Sequence, residues 1–314
     1  MLNRYKSKGA AAQLKRSIVR NTGLYVMSLP VVIYFIIFSY LPMYGVQIAF
    51  RNYSLTAGIT TSPWVGLEHL KVFYQSYYFG RLIKNTLFLS LYSLLVGIPA
   101  PIILALMFQE VRRKKLRSVL QAISYAPNFF STVVACGMIV MFLAPNTGVI
   151  PVLMEALGLN MSTSILTNKD AFRHIYVWSG IWQNVGWSSL IYTAAISGIP
   201  TDQYEAAAIE GASHLQQIIH ITLPNLAPTI TILSILAMGG VMSVGYEKVY
   251  LLQNDLNLET SEVISTYVFK TGLLNKKPRY SFSAMVGLFN SVVNLFLLSS
   301  VNMLSRRISE TSLW

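Results

Sequence analysis

The chain alternates long apolar runs with short polar intervals. Six runs approach the ~20 residues that a bilayer core requires. They lie at roughly 24–48, 86–108, 119–143, 175–198, 226–247 and 283–304. Runs two to five are interrupted, by Pro99 and Pro101, Pro127, Gly186, and then Gly239 and Gly240. Membrane helices tolerate such breaks where neighbouring helices or a water-filled cavity satisfy the freed backbone groups. The pattern predicts an all-α, polytopic membrane protein with six transmembrane helices.

One polar interval departs from the rest. Residues 204–224 read "YEAAAIEGASHLQQIIHITLP", with Glu205 and Glu210 but no Lys or Arg. Thr201 reads as an N-cap, and Asp202 and Glu205 fall in or near the first turn, where carboxylates favour the helix dipole. Ala206, Ala207 and Ala208 give high helix propensity and a thin profile. Gly211 is a natural stop. Ser213 and Gln216 form a Ser-x-x-Gln capping box for a second helix, with Leu215, Ile218 and Ile219 as its apolar side, anchored to the bundle. Pro224 and Pro228 constrain the entry to the fifth run. The interval therefore predicts a helix–Gly–helix elbow at the membrane surface. Its small side chains suit a cleft on a partner, and an acid at its start suits a partner's Arg or Lys. A solvated amphipathic connector fits the same residues.

Composition agrees with a lipid-facing surface. Hydrophobic residues make up 54% and charged residues 11%, against about 25% charged in a soluble domain. The net charge of +12 does not form a nucleic-acid-binding domain, because the basic residues cluster beside apolar runs, as membrane topology requires. Residues 1–23 are too basic and polar for a cleavable signal, and the first run is too long for a signal core, so it reads as a retained anchor. Arg4, Lys6, Lys8, Lys15, Arg16 and Arg20, together with the interval "EVRRKKLRS", place the N-terminus and the loop after run two in the cytoplasm. Six spans then bring the C-terminus, with Arg306 and Arg307, and the 199–225 loop to the same side. Residues 5–20 fit a basic helix on the inner headgroups or a solvated tail. The other loops carry turn signals, "SPWVGLEHL", "APNTG" and "NKKPRYS". Cys136 stands in an apolar run, as a small packed residue.

Several chemistries are absent. The chain has no Gly-x-x-x-x-Gly-Lys-Ser/Thr loop for a nucleotide and no Gly-x-Ser-x-Gly elbow for a nucleophile. His214 and His220 are six apart, poor spacing for joint metal ligation. Any energy source for work lies on another chain.

Sugar sites combine aromatic faces with hydrogen-bonding side chains. Trp182, Gln183, Asn184 and Trp187 lie in the fourth run, Asn290 and Asn294 on one face of the sixth, and Tyr125 and Asn128 around Pro127. Polar side chains within spans usually face the bundle interior, either lining a path or bonding helix to helix. Glu247 and Lys248 read as an interface pair or a substrate contact. Lys71, Arg81, Lys169, Arg173, Lys276, Lys277 and Arg279 suit an acidic saccharide or ordinary loop solubility.

Glu205-Ala206-Ala207, three residues, Gly211, nine residues, then Ile221-x-Leu223-Pro224 resembles the EAA loop, the coupling segment of permease subunits in ABC importers. The resemblance extends along nearly the whole chain. "LPMYGVQIAF", "NTLFLSLYSLLVGIPAPIILAL", "ISYAPNFFS", "VGWSSLIYTAAISGIP", "SEVISTYVFKTGL", "VGLFNSVVNLFLL" and the terminal "SLW" are similar to sugar-importer permeases of the maltose-transporter superfamily, in the branch that imports alginate and polygalacturonan or complex oligosaccharides. Glu210 stands where that family usually has Asp, keeping the charge. The large outer domain of the maltose permease subunit is missing.

The resemblance implies one half of a translocation path for an oligosaccharide, including acidic ones derived from alginate or pectin. The partners it implies are a second related permease, an ATPase dimer below, which binds ATP and Mg, and a solute-binding protein outside. It implies no metal or cofactor in this chain and no catalytic residue. Glu205 would face a basic residue in the ATPase groove, with Ala206, Ala207, Glu210, Gly211, Ile221, Leu223 and Pro224 completing the coupling segment. The expected organisation is a cytoplasmic segment 1–23, a permease domain 24–304 and a cytoplasmic tail 305–314, in a prokaryotic plasma membrane. A permease of the same architecture for a non-sugar solute and a stand-alone secondary transporter are the rival readings.

Overall fold

The computed structural model describes residues 20–145, 147–158 and 165–308, with side chains through 303. The basic residues Arg4 to Arg16, Asn146 of the "APNTG" turn and the terminal "SLW" lie outside the described residues, and the side chains of Arg306 and Arg307 are likewise not described. Among the described residues the protein is helical. It has no β-strand, only an isolated bridge between Arg51 and Trp64.

The chain divides into two compact units, residues 1–67 and 68–314. In the first, helix runs without a break from Thr22 to Phe50, passing through a π turn at Ile36–Tyr40 and a 3-10 end at Tyr44–Phe50. At 29 residues it is long enough to cross a bilayer. The side chains along its first two-thirds are solvent-exposed, as expected of a helix whose solvent is lipid. The chain then folds back on itself. Phe50 stacks on Trp64 at 5.5 Å, and the Arg51 guanidinium donates to the Thr60 and Ser62 carbonyls, both at 2.8 Å.

The second unit is a bundle. We label α1 (Thr22–Phe35) in the first unit, and in the second α2 (Tyr78–Gly97), α3 (Pro99–Glu110), α4 (Lys114–Tyr125), α5 (Thr132–Phe142), α6 (Lys169–Ser197), α7 (Thr201–Ile209), α8 (Leu223–Met238), α9 (Tyr246–Leu252) and α10 (Tyr280–Ile308). Pro99 takes the first position of α3, where its missing N–H costs nothing, so α2 and α3 read as one 33-residue span. Among the described residues four helices are long and apolar enough to cross a membrane, five if a bent pair counts as one span.

That bent pair bears out the interruption expected at Pro127 and corrects the third run only in its direction, a sharp bend in place of one line. Helices Lys114–Phe129 and Thr132–Phe142 meet at 101°. Pro127 opens a 3-10 turn, and Ser131, with ψ of 153°, leaves the helical region and starts a new helix by accepting the Val134 N–H. The fifth run is also corrected. Helix is continuous from His214, includes a π turn at Ile218–Thr222 beside Pro224, and ends at Met238. Gly239 and Gly240 terminate this span rather than interrupt it, and residues 246–252 form the separate α9. The fourth run is continuous through Gly186. A Cβ there would meet the backbone of Ser124 and Tyr125. The glycine is thus a close crossing of α6 over the end of α4, not a break. α6 has 29 residues, about 43 Å of helix.

Three apolar clusters hold the bundle. Leu89, Cys136, Phe172, Val177, Val249 and Leu252 join α2, α5, α6 and α9. Phe73, Leu82, Phe282 and Val286 join α2 to α10. Ile102, Ala105, Tyr192, Ile196 and Leu226 join α3, α6 and α8. Polar ties supplement them. Asn85 donates to the Glu259 and Glu262 carbonyls at 2.9 and 3.0 Å and accepts from Arg173 at 3.0 Å, while Arg81 pairs with Glu262.

Candidate functional site

The polar residues of α6 open onto a cavity of about 380 Å³. Its wall includes Ser93 and Gly97 from α2, Thr132 at the start of α5, Tyr176, Gly180, Gln183, Asn184 and Ser188 from α6, and Lys248 from α9. The break between α4 and α5 organises one side. Asn128 donates to Asn184 Oδ1 at 3.1 Å, Gln183 donates to the Phe130 carbonyl at 3.0 Å, and Asn184 donates to the Gly180 carbonyl at 2.9 Å. Phe129 stands edge-on to Trp187 at 5.9 Å, and Phe130 lies 6.5 Å from Trp182. A second cavity of about 360 Å³, more apolar, is walled by Trp187, Ser188, Tyr192 and Leu233.

The elbow forms a second feature. Thr201 is the first helical residue of α7. The N-cap is Pro200, which makes no side-chain cap bond, so the expected Thr201 cap is not formed. Glu210 is the C-cap and Gly211 comes next with φ of +80°. The N–H of Ala212 reaches the Ala207 carbonyl at 2.9 Å and that of Gly211 reaches Ala208 at 3.1 Å. This is a Schellman closure, which requires the left-handed conformation that glycine adopts without strain. The Ser213–Gln216 capping box is present in both directions. Glu205, Ala206, Ile209 and Glu210 are exposed. The elbow is held by side-chain bonds: Tyr204 to Thr222 at 3.0 Å, Asn225 to Gln203 at 3.1 Å, and His214 to Glu110 of α3 at 2.7 Å. Leu215 and Ile219, expected as apolar anchors, are 65% and 48% exposed. The anchoring falls instead to Ile218 and the buried Thr222 and Leu226.

Residues 97–310 match the family described as binding-protein-dependent transport system inner membrane component. The chain belongs to this family. It is the permease part of an ABC importer and acts in transport, not as an enzyme. Two relatives in Bacillus subtilis (strain 168) are each 38% identical. Protein LplB matches over 295 residues, 94% of this chain and 92% of that one. The polygalacturonan/rhamnogalacturonan transport system permease protein YteP matches over 297 residues, 95% and 92% of the two chains. A solved bacterial alginate ABC transporter, in complex with alginate pentasaccharide-bound periplasmic protein, contains a chain 42% identical, with a TM-score of 0.88 over 96% of this chain and 100% of that one.

Within this permease the structure draws Asn128, Trp182, Gln183, Asn184 and Trp187 into one region, as hydrogen-bonded or stacked neighbours beside the cavities. Tyr125 ends α4, its ring edge-on to Phe108 at 6.3 Å. Asn290 and Asn294 fall elsewhere. Asn294 accepts the Met242 N–H at 2.7 Å and donates to Ser243 at 2.6 Å, closing the turn after α8. Asn290 is not among the residues that wall either cavity. Four polar wall residues escaped the sequence reading: Ser93, Thr132, Tyr176 and Ser188. Ser and Thr are common in apolar spans, so nothing local marks the three that face inward. Among the described residues no group of three His, Cys, Asp or Glu side chains could hold a metal ion.

Proposed function

We propose that the permease forms half of the translocation path for an oligosaccharide, delivered by a solute-binding protein and moved by ATP hydrolysis on separate subunits. A second related permease supplies the other half, and α7 docks in a groove of the ATPase. The observation that carries the reading is the concentration of amides, hydroxyls and aromatic rings around one cavity in an otherwise apolar bundle. Rings offer faces to sugar C–H groups, and amides both donate and accept. The substrates for which these relatives are named, polygalacturonan/rhamnogalacturonan and alginate, are saccharides.

In this reading α6 is a spanning helix and the α4–α5 pair is one broken span. With α1, α2–α3, α8 and α10 the count is six. Both termini and the 199–225 elbow face the cytoplasm. Glu205 meets a basic residue of the ATPase, with Ala206, Ala207 and Gly211 as the packing surface and Ile221, Leu223 and Pro224 as the joint to α8. Support comes from the exposure of the α7 acids and the absence of Lys and Arg across the elbow. ATP and Mg bind the partner ATPase.

Reconstitution of the permease with its partners tests the proposal. Oligosaccharide-loaded binding protein should stimulate ATP hydrolysis and uptake. Failure of every oligosaccharide, with a non-sugar solute active, would refute the sugar assignment. Transport without the ATPase would refute the importer assembly.

A further inference from the structure

Lys248 is the charged side chain in the wall of the α6 cavity. On the same helix, Val249 and Leu252 are buried with Leu89, Cys136, Phe172 and Val177. That packing holds α9 against α2, α5 and α6, and Lys248 reaches α6 in the cavity wall. Its Nζ donates to the Tyr176 carbonyl at 2.9 Å and lies 4.9 Å from the Tyr176 ring centroid. The amine also lies 3.1 Å from where a Cβ on residue 180 would be. Gly180 therefore leaves the space that the ammonium occupies beside the backbone of α6.

An ammonium carries three N–H donors, and one is taken by Tyr176. Among the described residues no carboxylate pairs with Lys248; the ion pairs there are Arg81–Glu262, Lys169–Glu259 and His214–Glu110. Glu247, its neighbour in sequence, is exposed and makes no ion pair with it. Of the seven other basic groups that suit an acidic saccharide by sequence, Lys71, Lys276 and Lys277 are exposed and outside the cavity wall, and four are already engaged. Arg81 and Lys169 are in ion pairs, Arg173 bonds Asn85, and Arg279 lies 4.2 Å from the ring centroid of Phe282. A partly buried cation without a counter-ion is costly unless something anionic meets it. Here it faces a space walled by hydroxyls and amides.

We infer that Lys248 is a charge-selecting contact of the path, receiving the carboxylate of an acidic, uronate-containing oligosaccharide while Gln183, Asn184, Ser93 and Thr132 take its hydroxyls. The inference rests on the oligosaccharide reading above and narrows its substrate class.

The test uses the complete transporter in proteoliposomes, with Lys248→Gln and Lys248→Arg. The probes are galacturonate and alginate oligosaccharides of three to five units and their carboxyl-reduced, neutral counterparts. The wild-type binding protein is common to every arm, so the quantity read is variant-to-wild-type uptake for each sugar. Removing a charged hydrogen-bond partner predicts a loss on the order of ten-fold or more for the acidic sugars. Neutral sugars carried by the wild type should stay within about two-fold on the same reasoning, and Lys248→Arg should restore most of the acidic uptake. Thermal stability of the purified complex, unchanged in both variants, completes the expected result. Equal loss for acidic and neutral sugars, or loss that Arg does not restore, would make Lys248 a brace between α9 and α6 or the partner of a carboxylate on the second permease. Either overturns the inference while the oligosaccharide reading stands, as does unchanged acidic uptake in Lys248→Gln or a wild type that moves only neutral sugars. A wild type that moves no oligosaccharide of either kind overturns the underlying reading and the inference with it.

Discussion

Gly186→Ala tests the geometry on which the cavity depends. At Gly186 a Cβ would come closer than 3.0 Å to the Ser124 carbonyl, and reach 3.0 Å from the Tyr125 amide nitrogen, where ordinary contact begins at 3.4 Å. The obstruction is backbone, which cannot rotate away as a side-chain tip would. α6 and the end of α4 must then separate by on the order of 1 Å, and overpacking of this kind costs about 1–3 kcal/mol. The same crossing carries the Asn128–Asn184 and Gln183–Phe130 hydrogen bonds, at 3.1 and 3.0 Å, so they lengthen with it. At about 2–4 °C per kcal/mol, the purified complex should lose roughly 2–12 °C in thermal stability, read by fluorescence-detected size exclusion. Uptake should fall with it. Gly137→Ala is the control, because a Cβ there meets nothing within 4 Å; the gain in helix propensity should leave stability equal or slightly higher. Equal melting and uptake for Gly186→Ala and wild type would refute the close crossing.

Glu205→Lys should leave membrane insertion intact while releasing the ATPase or uncoupling its hydrolysis from uptake; co-purification of the ATPase with the variant, together with normal transport, would remove the assigned role. Ser213→Ala removes one arm of a two-way cap and should cost about 0.5–2 kcal/mol locally, seen as faster amide exchange over residues 214–217 with no change in α10. Asn294→Ala leaves the buried Met242 N–H without its acceptor, a loss of about 1–3 kcal/mol, and should lower complex stability without shifting substrate preference. In the Lys169–Glu259 pair, at 2.9 Å, hydrogen bonding and charge from Lys169 hold the Glu259 carboxyl below its ordinary range. A depressed acid contributes stability above its unfolded value and loses it as pH falls through the folded one. The small stability difference between wild type and Glu259→Gln should therefore be present at neutral pH and vanish in acid.

Sequence by itself determined the features that rest on local chemistry. Long apolar runs must be helical in lipid because every backbone group has to be satisfied within the segment. Gly211 had to end α7, and Ser213 with Gln216 had to start the next helix, because those side chains and that φ act within a turn of themselves. The spacing from Glu205 to Pro224 was likewise visible as a string. Tertiary structure decided whatever depends on a second element. Gly186 looked like a break and is a crossing, since a missing Cβ reads the same whether it frees a helix or admits a neighbour. Gly239 and Gly240 looked like interruptions and are an end, since Asn294, some fifty residues on, closes the turn after them. Leu215 and Ile219 carried the apolar pattern of an anchor but lie exposed, while Thr222 is buried. Lys248 read equally as half of an interface pair with Glu247 or as a substrate contact, until the approach of α9 to α6 placed it in the cavity wall against Tyr176. Apolar periodicity names a face; only the neighbour that covers it, or leaves it open, says what the face is for.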